Sequence, residues 1–159
     1  INAVNDAPVA NDITAQVDES RTALMLPVSI TLDATDVDGD ALTYTLVTDV
    51  SNGTATLSDD TVIYTPTTDF NGTDSFTYKA NDGTVDSNTA TVDITVNEVN
   101  DAPTTDDQTA STDEDTSVNI DLTSTDVEGD AVTYSIVTDV SNGTATLSGA
   151  AVTLSLIHI

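Results

Sequence analysis

Asp36-Val37-Asp38-Gly39-Asp40 sets three carboxylates two residues apart around one glycine, and the pattern returns as Asp126-Val127-Glu128-Gly129-Asp130. Two further groups recur in register: Asn5-Asp6 as Asn100-Asp101, and Asp18-Glu19 as Asp113-Glu114-Asp115. Asp82 stands alone, in an Asp-Gly turn. Carboxylate and amide oxygens are ligands for hard cations, and calcium takes about 6–8 of them. Unpaired carboxylates held together repel one another, and a bound cation relieves that repulsion. One Asp-Gly pair would be read as a turn. Three clusters repeated in both copies favour calcium. The EF-hand pattern fails, because Ala41 and Val47 stand where its sixth-position Gly and twelfth-position Glu belong.

The clusters recur because the chain repeats. Val4-Asn5-Asp6-Ala7-Pro8 returns 95 positions later as Val99 to Pro103, and Asp49 to Ser58 returns identically 90 positions later as Asp139 to Ser148. The five-residue difference is an insertion in the first copy, around Arg21 to Pro27. A period of this length is one small domain and not a solenoid unit. The expected organisation is the tail of a preceding repeat over 1–4, a complete repeat over 5–98 and a truncated second repeat over 99–153. Residues 154–159 depart from the first copy and resemble a translated library adapter. They are expected to be non-native read-through, which leaves the lone His158 without functional weight.

Composition narrows the function. Two basic residues, Arg21 and Lys79, face 28 acidic ones, a net charge of −26. Nucleic acid and anionic membrane surfaces would repel such a chain. Solubility or salt adaptation would explain acidity alone. It would not explain why Asp outnumbers Glu 24 to 4, whereas turns and calcium loops both use the shorter carboxylate. No cysteine is present, so disulfides and thiolate metal sites are excluded. Without cysteine, a usable histidine or an activated-serine motif, the common nucleophile–base pairs are missing, and the chain is expected not to be an enzyme.

The segments between the clusters alternate with period two. Phe76, Tyr78 and Ala80 alternate with Thr77 and Lys79, and Ala90, Val92, Ile94 and Val96 with Thr91, Asp93 and Thr95. Seven strands are expected in the first repeat, near 12–17, 28–32, 41–47, 53–58, 61–65, 74–80 and 88–97. Asp38-Gly39, Asn52-Gly53, Asn71-Gly72 and Asp82-Gly83 supply turns between them. The fold class is all-β, a Greek-key sandwich of about seven strands per repeat. Tyr44, Phe76 and Tyr78 are expected on buried faces, which leaves Tyr64 as the one loosely placed aromatic.

Ala34-Thr35-Asp36-Val37-Asp38-Gly39-Asp40 through Tyr44 resembles the A-x-D-x-D-x-G…Y signature of cadherin repeats. Lys79 to Gly83, followed by Thr89 to Val96, resembles their A-x-D-x-G segment and last strand, and Glu98 to Pro103 is similar to their linker. The chain is closest in pattern to bacterial cadherin-like tandem repeats of large surface and secreted adhesins. The resemblance implies Ig-like sandwiches with calcium between successive domains. Carried over, one junction would use Asn5, Asp6, Asp36, Asp38 and Asp82, and the other Glu19, Glu98, Asn100, Asp101, Asp126 and Glu128. Asp40 and Asp130 complete the two acidic loops as candidate ligands. The mid-domain D-R-E motif is missing, so one or two ions per junction are expected.

The expected function is a calcium-rigidified spacer of an extracellular or cell-surface bacterial adhesin. Its partners would be neighbouring repeats, with a surface glycan or protein met through other domains, and no nucleic acid. The alternatives are a repeat that itself binds carbohydrate or another copy, and a salt-adapted Ig-like spacer without metal sites.

Overall fold

The alternation that marks residues 72–97 places Phe76, Tyr78, Ala80, Ala90, Val92, Ile94 and Val96 on one buried face in the computed structural model. The structure describes residues 4–19 and 27–157. Most of the insertion around Arg21 lies outside them, as does His158. The chain divides into two compact units, residues 1–99 and 100–159.

The described residues of unit 1 hold nine strands: β1 Val9–Ala10, β2 Ile13–Asp18, β3 Val28–Thr31, β4 Ala34–Thr35, β5 Thr43–Thr48, β6 Gly53–Ser58, β7 Thr61–Pro66, β8 Gly72–Asn81 and β9 Ala90–Asn97. All seven expected strands form. The two additions, β1 and β4, are two-residue pieces that pair with each other. One sheet has the order β2-β9-β8-β5 and the other β3-β7-β6. Four of the five pairings in the two main sheets are antiparallel. β2 and β9 run parallel, from Ile13 opposite Val92 to Asp18 opposite Asn97. The strand nearest the N-terminus therefore lies beside the strand nearest the unit's C-terminal end.

The core between the sheets is built from Ile30, Leu32, Val62, Tyr64, Phe76, Tyr78, Val92, Ile94 and Val96. Each large apolar side chain removed from water here contributes about 1.5–3 kcal/mol. Two of the three core aromatics carry hydroxyls, and both are satisfied. Tyr78 Oη donates toward the carbonyls of Asn11 and Asp33, both at 2.7 Å. Tyr64 is fully buried, contrary to expectation. It sits on the inward face of β7, and its hydroxyl reaches the Asp74 carboxylate at 3.1 Å. Tyr44 is instead only half-buried, because β5 is an edge strand among the described residues.

Unit 2 repeats part of this plan. Its strands are β10 Thr104–Thr105, β11 Ser117–Asp121, β12 Ser124–Thr125, β13 Gly143–Ser148 and β14 Ala151–Leu156. β10 pairs with β12, and the sheet β11-β14-β13 matches β3-β7-β6 of unit 1. Leu154 and Leu156 continue β14, opposite Ala145 and Gly143 of β13.

Candidate metal centre

The acidic loop of unit 1 follows directly from β4. Asp36 Oδ1 accepts from the amides of Asp38 at 2.9 Å and Asp40 at 3.2 Å, which folds the loop back over the Asp36 side chain. Gly39 makes the bend at φ +79°, a conformation a Cβ would disfavour. One carboxylate oxygen from each of Asp36, Asp38 and Asp40 lies within 4.8 Å of the others. Among the described residues this is the one such group of three ligand side chains.

Asp36 Oδ2 is buried and has no hydrogen-bond partner. A solvent-shielded carboxylate oxygen without a donor is costly. A divalent cation would satisfy it, since oxygen donors at this spacing suit a hard ion. The residues present therefore fit calcium.

The linker residues close on the same loop. The Asp6 amide donates to Asp38 Oδ2 at 2.8 Å, and Asn5 Nδ2 donates to Asp82 Oδ2 at 2.8 Å. Asp82 Oδ1 accepts from the amides of Thr84 and Val85 at 2.6 and 2.7 Å. The Asn5 amide group and these backbone donors hold the Asp82 carboxyl below its usual range, so it stays ionised. Asn5, Asp6, Asp36, Asp38, Asp40 and Asp82 thus form one hydrogen-bonded neighbourhood within unit 1.

Unit 2 reproduces the bonding. The Asp130 amide donates to Asp126 Oδ1 at 2.8 Å, and Gly129 bends at φ +78°. The Asp101 amide donates to Glu128 Oε2 at 3.2 Å, as Asp6 does to Asp38. Asn100 Nδ2 donates to the Asp101 carbonyl at 2.9 Å, as Asn5 does to that of Asp6 at 3.2 Å. The longer Glu128 arm reaches the same donor, but Asp126, Glu128 and Asp130 do not form a second tight carboxylate group.

Glu19 and Glu98 lie at the other end of unit 1. Glu19 is only 2% exposed; its amide donates to the Asn97 carbonyl at 2.9 Å, and its Oε1 accepts from the Val99 amide at 2.6 Å. Glu19 thus anchors the segment leaving β9. Glu98 is exposed.

Sequence reasoning missed Asp74, the most thoroughly bonded carboxylate of unit 1. It is 7% exposed and accepts from the amides of Ser51 at 3.0 Å, Asn52 at 2.8 Å and Ser75 at 2.9 Å, besides Tyr64 Oη. Burial alone would raise its pKa, but the four donors together hold the carboxyl below its usual value. Burial, and then the Asp74 charge, push the Tyr64 phenol well up, so it stays a donor. Every oxygen is taken up in bonding, and the corner is structural.

The bacterial Ig domain family matches residues 5–95 and 100–156. Integrin beta-like protein B of Dictyostelium discoideum is 36% identical over 90 residues, covering 55% of this chain and 5% of that protein. The chain thus spans a small fraction of that curated relative. Among solved structures, human CDH23 EC21-23 superposes with a TM-score of 0.53 at 20% identity, over 97% of this chain and 56% of that one. The endo-fucoidan hydrolase MfFcnA4 from glycoside hydrolase family 107 gives 0.46 at 21% identity, over 95% of this chain and 24% of that one, a likeness too loose to argue from. With the family matched twice along it, the chain belongs to the bacterial Ig domain family, as two tandem copies, and shares its all-β fold with the cadherin structure.

Proposed function

We propose that the chain is a calcium-binding spacer of a large extracellular bacterial adhesin, stiffened by the ions its repeats hold. The partnerless Asp36 Oδ2 inside the Asp36–Asp38–Asp40 group carries this reading. Asn5, Asp6 and Asp82 complete the candidate ligand set of unit 1; Asn100, Asp101, Asp126, Glu128 and Asp130, with Glu19 and Glu98, are the candidates for the next. Without calcium the linker carboxylates repel one another; with it that repulsion is replaced by shared coordination. Bacterial Ig domains are common in surface proteins, and a calcium-rich medium suits sites with a Kd of about 10⁻⁴–10⁻³ M, typical of extracellular modules. The parallel β2–β9 pairing also suits a spacer, because tension on the two ends of unit 1 loads six facing residue pairs in shear.

Thermal unfolding in EDTA and in millimolar calcium tests the reading. At about one to ten times Kd, binding to the folded state alone adds about 0.4–1.4 kcal/mol. For a domain of this size that is a rise of roughly 2–11 °C in melting temperature. Asp36→Ala is expected to remove most of the rise. A rise no larger than sodium gives at equal ionic strength would reduce the chain to a salt-adapted spacer.

A further inference from the structure

The edge of the unit 1 sandwich is open. β5 and β6 are the outer strands of their sheets, and among the described residues neither is paired on its free side. Between them lies a cleft of about 730 Å³, lined by Leu42, Thr43 and Tyr44 on one side and by Leu57, Asp59 and Asp60 on the other. That volume falls within the ~300–1,000 Å³ of small-ligand sites.

The lining has three kinds of group. Leu42, Tyr44 and Leu57 are half-buried and give an apolar floor. Thr43 lies at the rim, its hydroxyl donated to the Asn81 carbonyl at 3.2 Å. Asp59 and Asp60 form the exposed β6–β7 turn. Asp59 is held at φ +57° and makes no side-chain hydrogen bond to another described residue. Asp60 Oδ1 accepts only from its neighbour Thr61, at 2.9 Å. Burial raises the Tyr44 phenol, and the charges of Asp60 and Asp33 raise it further, so the cleft floor lies in a negative field.

A corresponding cleft exists in unit 2. Val132, Thr133, Tyr134 and Leu147 line a space of about 400 Å³, but Gly149 and Ala150 replace the two aspartates. The open edge therefore recurs with the fold, while the charged turn belongs to unit 1 alone.

We propose that the unit 1 cleft binds a sugar ring carrying a protonated amine. The apolar face of a pyranose would lie over Leu57 and the Tyr44 ring. Two acceptor-only carboxylates would take its hydroxyl and ammonium protons. Charge complementarity favours a cation over a neutral or sulfated sugar, which is neutral toward the field or repelled by it. The site does not depend on the metal reading.

The test is a calorimetric titration of the 159-residue chain with the fully deacetylated glucosamine dimer, in EDTA so that calcium plays no part. N,N′-diacetylchitobiose and a lysine-rich peptide are the comparison ligands. Asp59→Asn/Asp60→Asn is expected to weaken amino-sugar binding about tenfold, since each partly exposed ion pair contributes modestly. Asparagine tolerates the positive φ of residue 59, so the fold is kept, as far-ultraviolet circular dichroism would show. Asp59→Gly/Asp60→Ala, which copies the turn of unit 2, is expected to do the same. Asp107→Asn/Asp121→Asn changes the net charge equally at exposed positions of unit 2 and should alter affinity by less than about twofold. Equal loss in that control would mean general attraction to a polyanion and would overturn the proposal. So would equal binding of the acetylated dimer, no binding of the amino sugar, or binding of the peptide alone.

Discussion

Asp74→Ala is expected to destabilise unit 1 by about 3 kcal/mol, measured by urea unfolding at neutral pH. The carboxylate is 7% exposed and gathers three backbone amides and the Tyr64 hydroxyl. Alanine leaves the Ser51 and Asn52 amides without an acceptor and the Tyr64 hydroxyl with only the Asn52 carbonyl, at 3.3 Å. Each buried orphan costs about 1–3 kcal/mol, discounted here because Ser51 is exposed enough for water to replace part of the loss. The pH dependence has a definite sign. Asp74 titrates lower in the folded chain than the ordinary 3.8, so it contributes stability above that value. The contribution shrinks as pH falls through 3.8 toward the folded pKa. The gap between the parent and Asp74→Asn should therefore be widest near neutrality and narrow in acid. A loss under about 1 kcal/mol, or a gap that grows on acidification, would show that the corner does not work this way.

Asp74 also shows where sequence reading stops. Its position in β8, two before Phe76, puts it on the inward face, yet a lone aspartate at a strand start reads as solvent-facing. Its donors at Ser51 and Asn52 are more than 20 positions away and only the fold brings them together. The strands themselves were legible because their alternation is local: the buried face of β8 and β9 can be read from Phe76 to Val96. The acidic loop was legible for the same reason, since Asp36, Asp38 and Asp40 meet through bonds spanning at most four residues. The parallel pairing of β2 with β9 has no local signature, since its partners lie 79 positions apart. Tyr64 and Tyr44 exchanged their expected places because alternation gives a side chain's face but not whether its strand lies inside a sheet or at its edge.

Gly53→Ala is expected to cost about 3 kcal/mol, and the cause is space and not backbone freedom. Gly53 does not occupy the left-handed region, so alanine could adopt its dihedrals. A Cβ there would meet the Thr65 carbonyl oxygen at 2.5 Å and the Tyr64 ring at 2.7 Å. Neither can retreat cheaply. Thr65 lies inside β7, paired with Thr54 of β6, and the Tyr64 ring is pinned by its hydroxyl bonds to Asp74 and to the Asn52 carbonyl. Forcing extra volume into such a site costs about 1–3 kcal/mol and occasionally more. Gly83→Ala separates the two causes. Gly83 has φ +94° and nothing within 4 Å of a Cβ, so alanine there bears backbone strain alone, about 1 kcal/mol. Equal melting losses for the two variants would refute the steric account. The Thr65 carbonyl is the nearer of the two obstacles, so the close approach of β6 to β7 is what excludes a side chain at this position.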